Sequence, residues 1–256
     1  MLKSTSQGRT MVLTLSNPAS RNALAPEMYA AGIEALNVAE GSRDVRSVVI
    51  TGEGNVFSAG GNLQRLQANR QRPPEVQAQS VEGLHSWIES IRTFPKPVIA
   101  AVEGAAAGAG FSLALACDLI VAAEDAVFVM AYSNIALSPD GGASWTLSHA
   151  LPRQLVSELL LAGERVAARR LHELGVVNRL TPSGSALDEA LALAEKLNAK
   201  APNALASIKE LINEAAGATL NQQLASERDR LVRNLHHPNG GIGIAAFLGK
   251  KSPEYE

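Results

Sequence analysis

Cysteine is nearly absent: Cys117 is the one such residue among 256. That excludes a disulfide framework and makes a reducing compartment, the cytoplasm, the expected setting. Cys117 sits in an apolar helical run and reads as a small core residue rather than a reactive thiol. Aromatic residues are also few, at 4%, and the cations are scattered over a chain of net charge -2. A nucleic-acid groove needs clustered cations and stacking rings, so no nucleic-acid partner is expected. Uncharged stretches such as residues 104–117 are too short to cross a membrane. Lys3, Ser4, Ser6, Gln7 and Arg9 break up any apolar run ahead of Met11, so no targeting segment is expected. No metal-ligand spacing appears either, since His236 and His237 are adjacent and poorly placed to chelate from one helix face.

What the chain has is apolar residues, at 46%, in alternating strand-like and helix-like stretches. Thr10 to Leu15, Val45 to Thr51, Pro97 to Val102 and Leu119 to Ala123 read as strands. Pro26 to Ala39, Val81 to Thr93 and Gly108 to Ala116 read as helices, and Ala126 to Asp140 as partly extended. The tract Gln67 to Gln79, rich in Gln, Arg and Pro, reads as a mobile surface loop. Repeated strand-turn-helix units favour parallel pairing with crossovers, which makes residues 1–182 an α/β core. From Ser183 the pattern becomes helical, at Ala186 to Ala199, Asn203 to Ala215, Leu220 to Leu235 and Gly241 to Leu248. Residues 183–256 thus form a helical C-terminal region with more apolar face than it can bury alone, which points to packing on the core or on another subunit.

The stretch PVIAAVEGAAAGAGFSLALACD, Pro97 to Asp118, carries the most chemistry. A strand runs into a small-residue turn and then an apolar helix, so residues from Gly108 onward present bare N–H groups at a positive helix end. The loop FSAGGNL, Phe57 to Leu63, offers a further N–H. Two backbone donors converging from separate segments are what an oxyanion or enolate requires. Gly104, Gly108 and Gly110 also read as glycines that permit close strand-helix packing. A dinucleotide fingerprint fails on spacing, because its third glycine falls at Leu113.

With NPxxxNAL at Asn17 to Leu24 and SPDGGASW at Ser138 to Trp145, these motifs resemble, in order and over nearly the whole chain, the crotonase superfamily of enoyl-CoA hydratases and isomerases. The resemblance implies an α/β spiral of ββα repeats with a helical C-terminal region, assembled as a homotrimer or homohexamer. It implies an acyl-CoA thioester as substrate, in fatty- or aromatic-acid catabolism, and no separate cofactor. It assigns the two oxyanion donors to the N–H groups of Ala59 and Ala109, and lines the substrate site with Gly60, Gly61, Asn62, Leu63, Gly108 and Tyr132. Arg21 and Lys250 fall in regions that contact the CoA nucleotide in relatives.

Hydratases of this family carry two glutamates for water activation and protonation; those positions here are Ser112 and Tyr132. Neither is a competent base at neutral pH. Asp140 matches the single carboxylate of the family's isomerases, which can remove a proton at one carbon and return it at another. The same residue also reads as a turn former or a cap for a helix beginning near Ala143. His85 lies at the spacing of a histidine that works with such an aspartate in dehalogenase-like relatives. Three readings stand: an isomerase using Asp140 alone, a hydratase-type lyase or hydrolase using Asp140 with His85, and a non-catalytic acyl-CoA-binding subunit.

Overall fold

The computed structural model of the chain describes residues 1–255. Its larger sheet, in the order β1-β2-β3-β4-β6-β9, joins β1 (Leu2–Gln7), β2 (Thr10–Leu15), β3 (Ser47–Gly52), β4 (Val98–Val102), β6 (Leu119–Ala123) and β9 (Arg179–Thr181). All neighbours are parallel except the β1–β2 hairpin. The smaller sheet, β5-β7-β8, joins β5 (Ala105–Ala107), β7 (Val127–Val129) and β8 (Arg165–Ala167). Each of β4 and β6 turns a corner into its successor in the small sheet. The β3 segment does the same through Ser58, which bridges to Ala106. Gly104 makes one such corner at φ +58°; a Cβ there would lie 2.1 Å from the Asn55 carbonyl oxygen, so only glycine fits.

The central strands read as continuous apolar runs because both faces of the sheet are covered. Leu13, Ile50, Ala100 and Ala122 face the main core. That side carries α1 (Pro26–Gly41), α3 (Pro74–Thr93) and α4 (Ala109–Ala116). Val12, Val49, Ile99, Ala101 and Val121 face α8 (Ala186–Asn198) through Ala190, Leu193 and Ala194. The Glu103 carboxylate, at a sheet corner, accepts from the N–H groups of Gly184 and Ala186 at 3.0 and 2.8 Å and so anchors the start of α8. In the chain, α5 (Ala143–Ala150) and α6 (Arg153–Ser157) lie between β7 and β8, and α7 (Ala168–Glu173) between β8 and β9; α9 (Pro202–Ala215), α10 (Leu220–Leu235) and α11 (Pro238–Leu248) follow α8. No helix among the described residues is long and apolar enough to cross a membrane.

Two local expectations fail. Residues 67–79 are not a loop: α2 (Leu63–Asn69) holds the first three of them and α3 begins at Pro74. Asn62 caps α2 by accepting from the Arg65 N–H at 2.9 Å, and the buried Asn69 donates to Gln77 at 2.7 Å across the turn. Pro74, read as a breaker, occupies the first turn of α3, where its missing N–H costs no helical bond. Strand β1 escaped the pattern because its residues are polar and mostly exposed; pairing with β2, plus a 2.7 Å ion pair from Lys3 to Glu53, holds it.

Candidate active site

Asn22 of the NPxxxNAL segment organises the first wall of the site. It is fully buried, with its backbone left-handed at φ 56°. Its amide donates to the carbonyls of Glu53 and Val56 at 2.9 and 2.7 Å. Ser58 Oγ in turn donates to the Asn22 carbonyl at 2.8 Å and accepts from the Gly60 N–H at 3.1 Å. The loop is fixed further by Leu24 N–H to Gly60 O at 2.7 Å and Ala59 N–H to Arg21 O at 2.9 Å. Gly60, at φ +85°, lies so near β5 that a Cβ would meet the Ala107 oxygen at 2.4 Å and the Ala109 nitrogen at 3.2 Å. The loop and the start of α4 are therefore packed against each other.

That network corrects one assignment. The N–H of Ala59 already has an acceptor in Arg21 and is not open to a substrate, although Ala59 lines the cavity. Among the described residues, the N–H groups of Gly61 and Ala109 have no internal hydrogen bond, and both residues line the cavity. Ala109 is the first residue of α4, where unpaired N–H groups and the positive helix end coincide. An alanine serves there as well as a glycine, because the donor is main chain.

The cavity has a volume of about 560 Å³. Besides the two donors it brings together Asn62, Leu63, Gly108, Tyr132, Asp140 and His85. Gly60 packs behind its wall, while Arg21 and Lys250 do not line it. Arg21 is exposed, left-handed at φ 52°, and Lys250 is exposed just past α11.

Asp140 does form a turn, its carbonyl accepting from the Ala143 N–H at 3.4 Å. Its side chain does not cap α5, which has no side-chain cap. Instead Tyr132 Oη donates to Asp140 Oδ1 at 2.5 Å, and Ser112 Oγ donates to the Asp140 carbonyl at 2.9 Å. Burial, then the Asp140 charge, pushes the Tyr132 phenol far above its ordinary value, so it stays a donor. His85, with its side chain 46% exposed, pairs with Glu82 at 3.8 Å and makes no hydrogen bond to Asp140.

Tyr29, on α1, was not anticipated. It is buried against Trp87 with ring centroids 6.2 Å apart, and it lines the cavity. Burial first, then the charges of Asp140 and Glu27 against Arg65, moves its phenol up to about 12. Its one sequence signal is position: it lies in the first turn of the helix that opens directly after the NAL segment.

Two corner-wound sheets flanked by helices, with a glycine loop packed on a helix start, are the architecture of the crotonase superfamily. The family described as enoyl-CoA hydratase/isomerase matches residues 5–256, and the chain belongs to it. It is 36% identical to the 1,2-epoxyphenylacetyl-CoA isomerase of Escherichia coli K12, over 96% of this chain and 94% of that protein. It is 32% identical to the 2,3-dehydroadipyl-CoA hydratase of the same strain, over 98% of this chain and 96% of that one. A solved enoyl-CoA hydratase from Polaromonas sp. JS666 is 72% identical and superposes with a TM-score of 0.99, covering 100% of this chain and 99% of that chain. The protein is an enzyme of this family acting on an acyl-CoA.

Proposed function

We propose that the enzyme isomerises a double bond in an acyl-CoA thioester, with Asp140 as its single base. The observation that carries this is the state of the Asp140 carboxylate. It stands in the cavity with one hydrogen bond, from Tyr132, while the two positions where hydratases of the family carry glutamates hold hydroxyls turned onto Asp140. Asp140 takes a proton from one carbon; the C–H electron pair moves into the conjugated system, and the negative charge collects on the thioester oxygen. The N–H groups of Gly61 and Ala109 hydrogen-bond that oxygen, and Asp140 returns the proton at the other end of the dienolate. The thioester's own carbonyl holds the charge, so the reading asks for no cofactor. Arg21 and Lys250 remain our assignment for the CoA phosphates, outside the cavity proper.

Exposed apolar side chains on the last three helices, among them Ile212, Leu231 and Phe247, support a homotrimer or homohexamer. A hydratase reading draws support from His85, which lines the same cavity. Incubation with a 3-enoyl-CoA in D₂O, read by mass spectrometry, separates the two. Deuterium uptake with bond migration, lost by about 10²–10⁴-fold in Asp140→Asn and retained in His85→Ala, is the expected result. Loss in both variants selects the hydratase or hydrolase reading. Thioester binding without exchange or bond migration would overturn the isomerase reading.

A further inference from the structure

We infer that Tyr132 is a positioning residue that holds Asp140 by one oxygen, leaving the other to meet the substrate, with Ser112 fixing the aspartate's main chain. The inference rests on the reading of Asp140 as the base. Among the described residues no other hydrogen bond or ion pair reaches the Asp140 carboxylate, so Tyr132 alone sets its orientation. The tyrosine is itself anchored: its carbonyl accepts from the N–H groups of Ile135 and Leu137 at 3.1 and 3.0 Å, closing the turn that leads toward Asp140. Ser112 is buried in α4, the helix whose first N–H is the candidate oxyanion donor, and it reaches the Asp140 carbonyl at 2.9 Å. One helix thus registers the base against the donor. Without the Tyr132 contact the Asp140 carboxylate turns freely about its last side-chain bond. A base that must serve two carbons in turn needs the same oxygen aimed at both.

Removing the phenol hydroxyl while keeping the ring tests this. Tyr132→Phe is expected to lower kcat for 3-enoyl-CoA isomerisation by about 10–10²-fold, the scale of a mispositioned reacting group, with KM within about 3-fold of wild type. In an Asp140→Asn background the same change is expected to add no further loss, because a holder without its base has nothing to align. Ser112→Ala, which leaves the cavity lining intact, is expected to lower kcat by less and again to spare KM. Should Tyr132→Phe fail to fold cooperatively, Ser112→Ala carries the test. Wild-type kcat in Tyr132→Phe, or in Ser112→Ala if that variant carries the test, would overturn the holder while Asp140→Asn remains inactive. A raised KM with unchanged kcat in Tyr132→Phe overturns it too, since that marks a substrate contact. Exchange that survives Asp140→Asn sinks the underlying reading instead, so the two failures are distinguishable.

Discussion

Two aspartates of this chain stand at the walls of two cavities and differ in how completely they are bonded. Asp118 borders a cavity of about 300 Å³ beneath α9. Its Oδ2 accepts from the Val98 N–H at 2.7 Å and from Lys209 Nζ at 2.8 Å. The same ammonium also donates to the carbonyls of Ile91 and Lys96 at 2.9 and 3.4 Å, so all three of its protons are used. Burial pushes the Asp118 carboxyl above its ordinary value, and Lys209 pulls it back. Asp140 borders the larger cavity with one bond, from a neutral hydroxyl, and faces no cation within ion-pair distance. What distinguishes the two carboxylates is the partner: Asp118 pairs with a buried ammonium, whereas Asp140 meets one neutral hydroxyl. The Asp118–Lys209 pair ties α9 to the start of β4, while Asp140, without a cation, faces the cavity.

The widest separation between the two is expected from their paired disruption. Asp140→Asn should leave urea unfolding close to wild type while removing the 10²–10⁴-fold contribution of a general base. Lys209→Met should do the reverse. It strands the Asp118 carboxylate and two carbonyls, at a cost of about 3–5 kcal/mol in unfolding free energy, with kcat per folded molecule unchanged. A Lys209→Met protein that unfolds like wild type but isomerises poorly would reverse the two roles. A narrower cut is made by Ala109→Pro. As the first residue of α4, position 109 tolerates proline without loss of a helical bond, yet its N–H disappears. We expect kcat to fall by about 10²–10³-fold with the fold retained, as for loss of one oxyanion donor. Unchanged turnover would remove that N–H from the mechanism.

The same contrast explains what could be read from the residues alone. Strands β3, β4 and β6 were legible because apolar residues on both faces of a covered sheet leave a continuous run in the sequence, and the helix start at Ala109 follows from small residues after such a run. Asp118 closes the quoted strand-turn-helix stretch, but its partner Lys209 lies ninety-one residues away and carries no local mark. The donor was expected at Ala59, whose N–H is taken by the Arg21 carbonyl, while the Gly61 N–H two residues on has no internal partner. Which of several successive N–H groups is free depends on where distant carbonyls fall, here that of Arg21. Tyr29 was missed for a similar reason: only the packing of α1 beside the Asp140 turn makes it part of the site. Pro73 and Pro74 misled because proline marks the start of a helix as readily as its end.

Alkaline titration gives the smallest effect and sharpens the comparison by probing both cavities at once. Tyr29 lines one cavity and Cys117 the other, and burial raises both, the phenol from 10.0 to about 12 and the thiol well above 9.0. In each case the native chain holds its proton to a higher pH than the unfolded chain does. Between the two states' titrations the native form therefore binds more protons, and unfolding free energy must fall as pH rises. The loss begins near pH 9, through Cys117, and steepens from about pH 10 as Tyr29 and Tyr132 join, at no more than about 1.4 kcal/mol per pH unit per group. Urea unfolding from pH 8 to pH 11 measures the slope. Cys117→Ala should flatten its lower part, and Tyr29→Phe and Tyr132→Phe should each remove part of its upper part, so the variants assign the alkaline loss to the cavity that causes it. A slope that none of these variants changes would mean that none of these buried groups carries it.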